Sequence, residues 1–303
     1  MGIPNSRNFY LIAMGLAITM AISLPAHAAY IDFAGVNGST LTSYGATTGT
    51  GGGAIFALGD TKGTGSGNFP AFLRMETDTK SDSVLGEEDG FNTDGALLND
   101  EKPGIHTHSV LMANLGIVGL SGIDYLEFRL DWNEPNNGFS KDQSLIIQQF
   151  QFYVSDTGTQ STADPQLGGL GTKFYDLLAD LSDEAGSPTG FHVFDTNAGQ
   201  GQDDFQILLP VSLLNGINTT GKYLTLYAKF GTPEPKVTGG PPVEVPGAAE
   251  PSFEEFSYRA CASDTEGCIP PPPPQGEVPE PSTYALMSVG LLALGALGKR
   301  KRK

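Results

Sequence analysis

Basic residues are scarce in this chain. It carries 17 Lys and Arg against 34 Asp and Glu, a formal net charge of −17 over 303 residues. Arg7, Lys299, Arg300, Lys301, Arg302 and Lys303 all stand in the two terminal segments, and residues 1–28 and 281–303 hold no Asp or Glu. The interior is therefore more acidic still. Such a surface repels nucleic-acid phosphates, which excludes nucleic acid as a partner. It also keeps an exposed protein soluble and attracts divalent cations. Cysteine is nearly absent. Cys261 and Cys268 are the only two, too few for an all-thiolate zinc centre or a disulfide-dense scaffold. In an oxidising compartment they would close a short loop, a disulfide that contributes about 2–3 kcal/mol.

Catalytic signatures are missing as well. No Gly-x-Ser-x-Gly elbow occurs; Gly63–Gly67 reads Gly-Thr-Gly-Ser-Gly, with no strand-to-helix turn around it. No Gly-Lys-Ser/Thr occurs, which excludes a phosphate-binding loop. No repeat of fixed period is present. The reading is a non-enzyme without a required cofactor. A secreted hydrolase stays as an alternative, because 34 acids leave many carboxylate pairs.

What the chain does have is glycine, proline and alternation. The 40 Gly and 21 Pro favour turn-rich β-structure. Leu126, Phe128, Leu130 and Trp132 alternate with Tyr125, Glu127, Arg129 and Asp131. Phe150, Phe152 and Val154 alternate with Gln149, Gln151 and Tyr153. Phe205, Ile207 and Leu209 follow the same rule, as do Leu224, Leu226, Ala228 and Phe230. Phe253, Phe256 and Tyr258 mark a last strand. Period two with one apolar and one polar face predicts antiparallel strands with one solvated side. Residues 30–33, 54–58, 69–75 and 108–113 are weaker strand candidates. Lys173–Asp183 has helical spacing at Phe174, Leu177, Leu178 and Leu181, and residues 208–214 suggest a short turn after Pro210. Residues 231–250, rich in Pro and Gly, read as a surface loop. The expected fold class is all-β: an antiparallel β-sandwich, jelly-roll-like, with long Gly/Pro-rich loops.

The two ends carry a different code. After Arg7, residues 9–24 form an apolar run. Pro25 breaks it, and Ala26-His27-Ala28 places small residues at the −3 and −1 positions of a cleavage site. This is the pattern of a secretory signal peptide cut after Ala28. At the other end stand Pro279-Glu280-Pro281, then the uncharged apolar residues 284–298, then Lys299-Arg300-Lys301-Arg302-Lys303. The apolar stretch would reach about 22 Å as a helix, and its basic flank would stay cytoplasmic. The organisation expected is a signal peptide (1–28), a sandwich body (29–261), a Pro-rich linker (262–278) and a terminal segment (279–303) with one transmembrane helix. Pro270–Pro274 in the linker would form a stiff extended rod.

A Pro-Glu-Pro triplet, a short apolar helix and a terminal basic cluster, behind a signal peptide, resemble the PEP-CTERM sorting domain. The resemblance implies that an exosortase, a membrane cysteine protease, recognises Pro279, Glu280 and Pro281 and cuts near them. It implies transient inner-membrane anchoring by the C-terminal helix, then delivery to the cell envelope, surface or extracellular medium. Proteins of this kind accompany exopolysaccharide production, so exopolysaccharide is an expected partner and biofilm matrix an expected setting. The prolines keep the motif extended and outside the helix, where a protease reaches it.

Three clusters offer chemistry. Asp131, Asn133 and Glu134 follow a strand with oxygen ligands suited to Ca²⁺ but without EF-hand spacing, and the same residues make ordinary turns. Asp195, Asp203 and Asp204 bracket a second loop that could share the ion. His106 and His108, two apart, supply half a zinc site. The expected role is a non-catalytic structural or adhesive surface protein. The alternative is a carbohydrate-binding module, calcium-dependent if those loops meet, with Tyr125, Tyr153, Tyr223 and Tyr227 as an exposed platform. Trp132 falls on the apolar face and belongs to the core.

Overall fold

In the computed structural model, the residues described are 30–33, 43–45, 53–59, 70–76, 86–132, 144–160, 168–182, 189–194, 203–232, 247–249 and 253–261. The strands are β1 (Ile31–Asp32), β2 (Ser43–Gly45), β3 (Ile55–Leu58), β4 (Leu73–Met75), β5 (Glu87–Phe91), β6 (Val110–Leu111) and β7 (Ile117–Leu120). They continue with β8 (Ile123–Trp132), β9 (Ser144–Ser155), β10 (Thr172–Asp176), β11 (Phe191–Phe194), β12 (Phe205–Pro210), β13 (Tyr223–Gly231) and β14 (Glu254–Tyr258). One short helix, α1 (Leu177–Ser182), interrupts them.

The strands form two seven-stranded sheets. In the first, the order is β1-β11-β9-β13-β5, with β10 beside the second half of β9 and β6 beside the start of β13. In the second, the order is β2-β3-β12-β8-β14-β4, with β7 beside the start of β8. Every pairing is antiparallel except β1 with β11, which is parallel. The hairpin between β7 and β8 shows the local logic. Ser121 and Gly122 both have positive φ, 53° and 82°. That pair matches the right-handed twist of the flanking strands in a two-residue turn.

The two sheets face each other through phenylalanine. Phe128 of β8 lies 4.7 Å from Phe152 of β9, ring centre to ring centre, and Phe56 of β3 lies 4.7 Å from Phe191 of β11. Phe256 of β14 meets Phe150 edge-on at 5.7 Å and stacks on Phe230 at 5.9 Å. Phe205 contacts Phe33, Phe56, Phe191 and Trp132. These rings are fully buried, Trp132 among them. One apolar core therefore runs between the sheets, built from the alternating positions.

Three expectations change. Lys173–Asp183 is not one helix. Its first half is β10, hydrogen-bonded to β9 with a register shift between Lys173 and Tyr175, and only Leu177–Ser182 is helical. Spacing at i, i+3 and i+4 did not separate the two, and pairing with β9 took the first half. The end of the 231–250 loop is not surface either. Ala248 and Ala249 are buried, and Ile146 donates its N–H to the Gly247 carbonyl at 3.0 Å. The third change is the outer faces, much of which is covered. Glu127, Asp131, Gln149, Gln151 and Thr225 are all buried. So are Tyr125, Tyr153 and Tyr227, and Tyr223 is half-buried. The exposed tyrosine platform therefore does not exist. Phe91, Tyr153, Leu170 and Tyr227 form a small second core on the outside of the first sheet.

Candidate functional site

The outer face of the second sheet is closed by arginines lying across carboxylates. The Arg129 guanidinium donates to Glu127 at 2.6 Å and to Asp203 at 3.2 Å. Arg259 reaches Glu127 at 3.1 Å, and the Gln206 amide donates to the same carboxylate at 2.9 Å. Arg74 pairs with Glu255 and lies over the Phe253 ring. Burial alone would raise the Glu127 carboxyl, but Arg129, Gln206 and Arg259 together hold it below its ordinary range. The lattice satisfies charges that burial would otherwise penalise.

Two of the residues proposed for calcium sit within this arrangement. Asp203 is tied to Arg129, and Asp204 accepts the Trp132 N–H at 3.1 Å. Asp131 is buried on the same face, opposite Glu255. Asn133, Glu134 and Asp195 lie outside the described residues. Among the described residues, no group of three or more His, Cys, Asp or Glu could hold a metal ion. Asp203 and Asp204 serve the sheet: the Asp204 backbone accepts from Gly59 at 2.6 Å and donates to Leu130 at 3.0 Å.

Sequence reasoning did not place the acids around β5 in a strand. Glu88 and Glu254 are buried on facing sheets. Burial pushes the Glu88 carboxyl up to about 8; a hydrogen bond with Glu254 opposes the shift, and Asp100, Asp89 and Glu76 add to it. Nearby, Glu101 accepts backbone N–H groups of Phe91 (2.9 Å), Leu98 (3.2 Å) and Asn99 (2.8 Å). Burial raises this carboxyl too, against those donors. The run Glu87-Glu88-Asp89 had no apolar member to mark it as a strand. Gly90 and Phe91 were the available signal.

His106 and His108 come together with groups distant in sequence. Between them Thr107 is buried, its hydroxyl bridging the Arg74 backbone (3.2 and 3.3 Å). The flanking imidazoles line a cavity of about 320 Å³ with Pro70, Ala71, Ile105 and Tyr258. His108 is held at both ends: its backbone N–H donates to Phe72 at 3.0 Å, and Nδ1 lies 2.9 Å from the Ser109 carbonyl. A carbonyl only accepts, so Nδ1 carries the proton and Nε2 is an acceptor. The Tyr258 ring packs edge-on against Phe72 at 5.6 Å, and burial raises its hydroxyl pKa against a hydrogen bond with Asn114. Ala260 completes the wall, and the next residue, Cys261, is disulfide-bonded. Cys268 lies outside the described residues.

The remaining sequence features are the ends, residues 1–29 and 262–303, which also lie outside the described residues. Among the described residues, no helix is long and apolar enough to cross a membrane. Residues 277–303 match a known family. The tail is a PEP-CTERM protein-sorting motif. The PEP-CTERM motif marks an exported protein of the cell envelope that an exosortase recognises. It contains Pro279, Glu280 and Pro281 and begins two residues before them. No curated protein and no solved structure matches the chain.

Proposed function

We propose that this PEP-CTERM protein is a non-catalytic structural or adhesive component of the cell surface or extracellular matrix. Residues 1–28 direct export and are removed after Ala28. The apolar residues 284–298 hold the chain in the inner membrane until an exosortase cuts near Pro279-Glu280-Pro281. The jelly-roll-like sandwich is then released or displayed beside exopolysaccharide. The observation that carries this reading is the sorting motif at residues 277–303. The body supports it in one respect. Glu127, Asp203 and Glu255 are engaged in ion pairs, and Glu88 and Glu254 are closed inside the fold, as suits a durable scaffold.

The test is intact mass and terminal sequencing of the protein from the native envelope and medium. The expected product starts near Ala29 and ends near Pro279-Glu280-Pro281. A product retaining residues 284–303 in every fraction would reduce the tail to a plain membrane anchor and remove the basis for the matrix role.

A further inference from the structure

We propose that the cavity lined by His106, His108 and Tyr258 binds a neutral saccharide unit. The argument starts from charge. None of the described side chains that line the cavity is a carboxylate, lysine or arginine. A phosphate, sulfate or uronate would find no lysine or arginine there, and the chain's net charge of −17 repels anions further. An ammonium group or Ca²⁺ would find no carboxylate side chain among the described lining residues. These absences favour an uncharged occupant.

Polarity narrows it further. Three of the lining residues carry hydrogen-bonding side chains: His106, His108 and Tyr258, whose hydroxyl also bonds Asn114. A purely apolar ligand would leave this polar capacity unused. The Pro70, Ala71 and Ile105 side chains in the same lining offer only carbon and hydrogen. Ile105 is 82% exposed, held out beyond the Gly104 turn with nothing of the described fold packed over it. Hydroxyls on the rim of a ring and C–H groups on its face are what this wall complements. A cavity of about 320 Å³ is within the range of small-ligand sites.

Position favours access. The wall is assembled from the approach to β4, the 105–108 loop and the end of β14; the Thr107 hydroxyl and the His108–Phe72 bond join the loop to β4, and the Phe72 N–H donates to Phe256 of β14 at 2.8 Å. Hydrogen bonds of this kind limit the ordering cost of binding. This inference stands on the cavity alone and does not depend on how the tail is processed.

The test uses the full chain on an array of neutral and uronic-acid glycans, followed by calorimetric titration of the best binder. Three variants accompany it: Ile105→Ser, His106→Ala and Tyr258→Phe. Ile105 is exposed, so Ile105→Ser should retain the wild-type melting temperature; Tyr258→Phe keeps the ring on Phe72 and loses only the hydroxyl's bond to the exposed Asn114, so it should melt close to wild type. Neutral glycans should bind and uronic-acid glycans should not, with each variant weakening the binding about tenfold, the effect of losing one good contact. Zn²⁺ alone is a second probe. The proposal is overturned if no neutral glycan binds, or if all three variants bind like the parent. It is equally overturned if Zn²⁺ binds in a His106-dependent manner while glycans do not, which would assign the imidazoles to a metal.

Discussion

Glu88 of β5 and Glu254 of β14 meet between the two sheets, carboxyl to carboxyl, with both side chains buried. Two ionised carboxylates cannot share such a place. Burial pushes the Glu88 carboxyl up to about 8, against the opposing hydrogen bond with Glu254, so the pair keeps a proton. The pair sits beside the stacked rings of Phe230 and Phe256, since Phe230 is opposite Glu88 in register and Phe256 follows Glu254 two positions on.

This pair sets a pH dependence. The folded pKa of Glu88 lies above its ordinary value of 4.5, so the folded chain holds a proton that the unfolded chain has lost between about 4.5 and 8. Its contribution is fully present below 4.5 and is lost as pH rises toward 8, a difference on the order of a few kcal/mol. The melting temperature should fall between pH 5 and 8.5. Glu88→Gln should flatten that slope and raise the melting temperature at pH 8.5, measured by circular dichroism. A parent slope retained in Glu88→Gln would show that other groups set it.

Removing Arg129 should expose what the outer lattice does. Glu127 and Asp203 would lose their shared partner while staying buried, although Arg259 and Gln206 still reach Glu127. Arg129 is itself about a third exposed, so solvent screens part of the interaction. Arg129→Ala should cost about 1–3 kcal/mol in urea unfolding. Arg129→Lys should recover only part of this, because a single ammonium cannot span both carboxylates.

Much of the fold was legible because burial between sheets needs alternation. β8, β9, β12, β13 and β14 all announced themselves that way. β5 did not, because its inward residue is Glu88 rather than an apolar one. β11, Phe-His-Val-Phe, was too short for its alternation to stand out. The solvated outer faces were misjudged for a related reason: a polar residue in a strand shows which face it occupies but not what lies over it. The His106 and His108 pair was visible in sequence. Pro70 and Tyr258 were not, because only the pairing of β4 with β14 brings residues nearly 190 positions apart to one wall.

Phe205 should be the costliest aromatic to remove. It touches four other aromatic rings, from Phe33 to Trp132. Phe205→Ala should lose about 3–5 kcal/mol, whereas Phe205→Leu should lose less by filling more of the hole. Chemical denaturation of the three proteins measures both.

Two glycines separate close approach from conformation alone. Gly231 has φ of +86°, and a Cβ there would stand 1.9 Å from the Gly86 carbonyl oxygen. Gly216 has φ of +81° with nothing within 4 Å. Gly216→Ala should cost about 1 kcal/mol, the strain of a left-handed alanine. Gly231→Ala should cost clearly more, because β5 must move. Equal losses in a side-by-side thermal melt would contradict the packing drawn here.

β14 is the last described strand in sequence, yet it lies between β8 and β4 rather than at an edge. A chain that crosses a membrane from its N-terminus presents its strands in order of arrival. The second sheet then waits, with a slot between β8 and β4, until Glu254–Tyr258 emerge. By that moment fewer than thirty residues separate the closing strand from the sorting motif that begins at residue 277. Completion of the body and presentation of the tail are thus nearly simultaneous. A chain cut short before Glu254 would leave the facing edges of β8 and β4 without the strand that joins them.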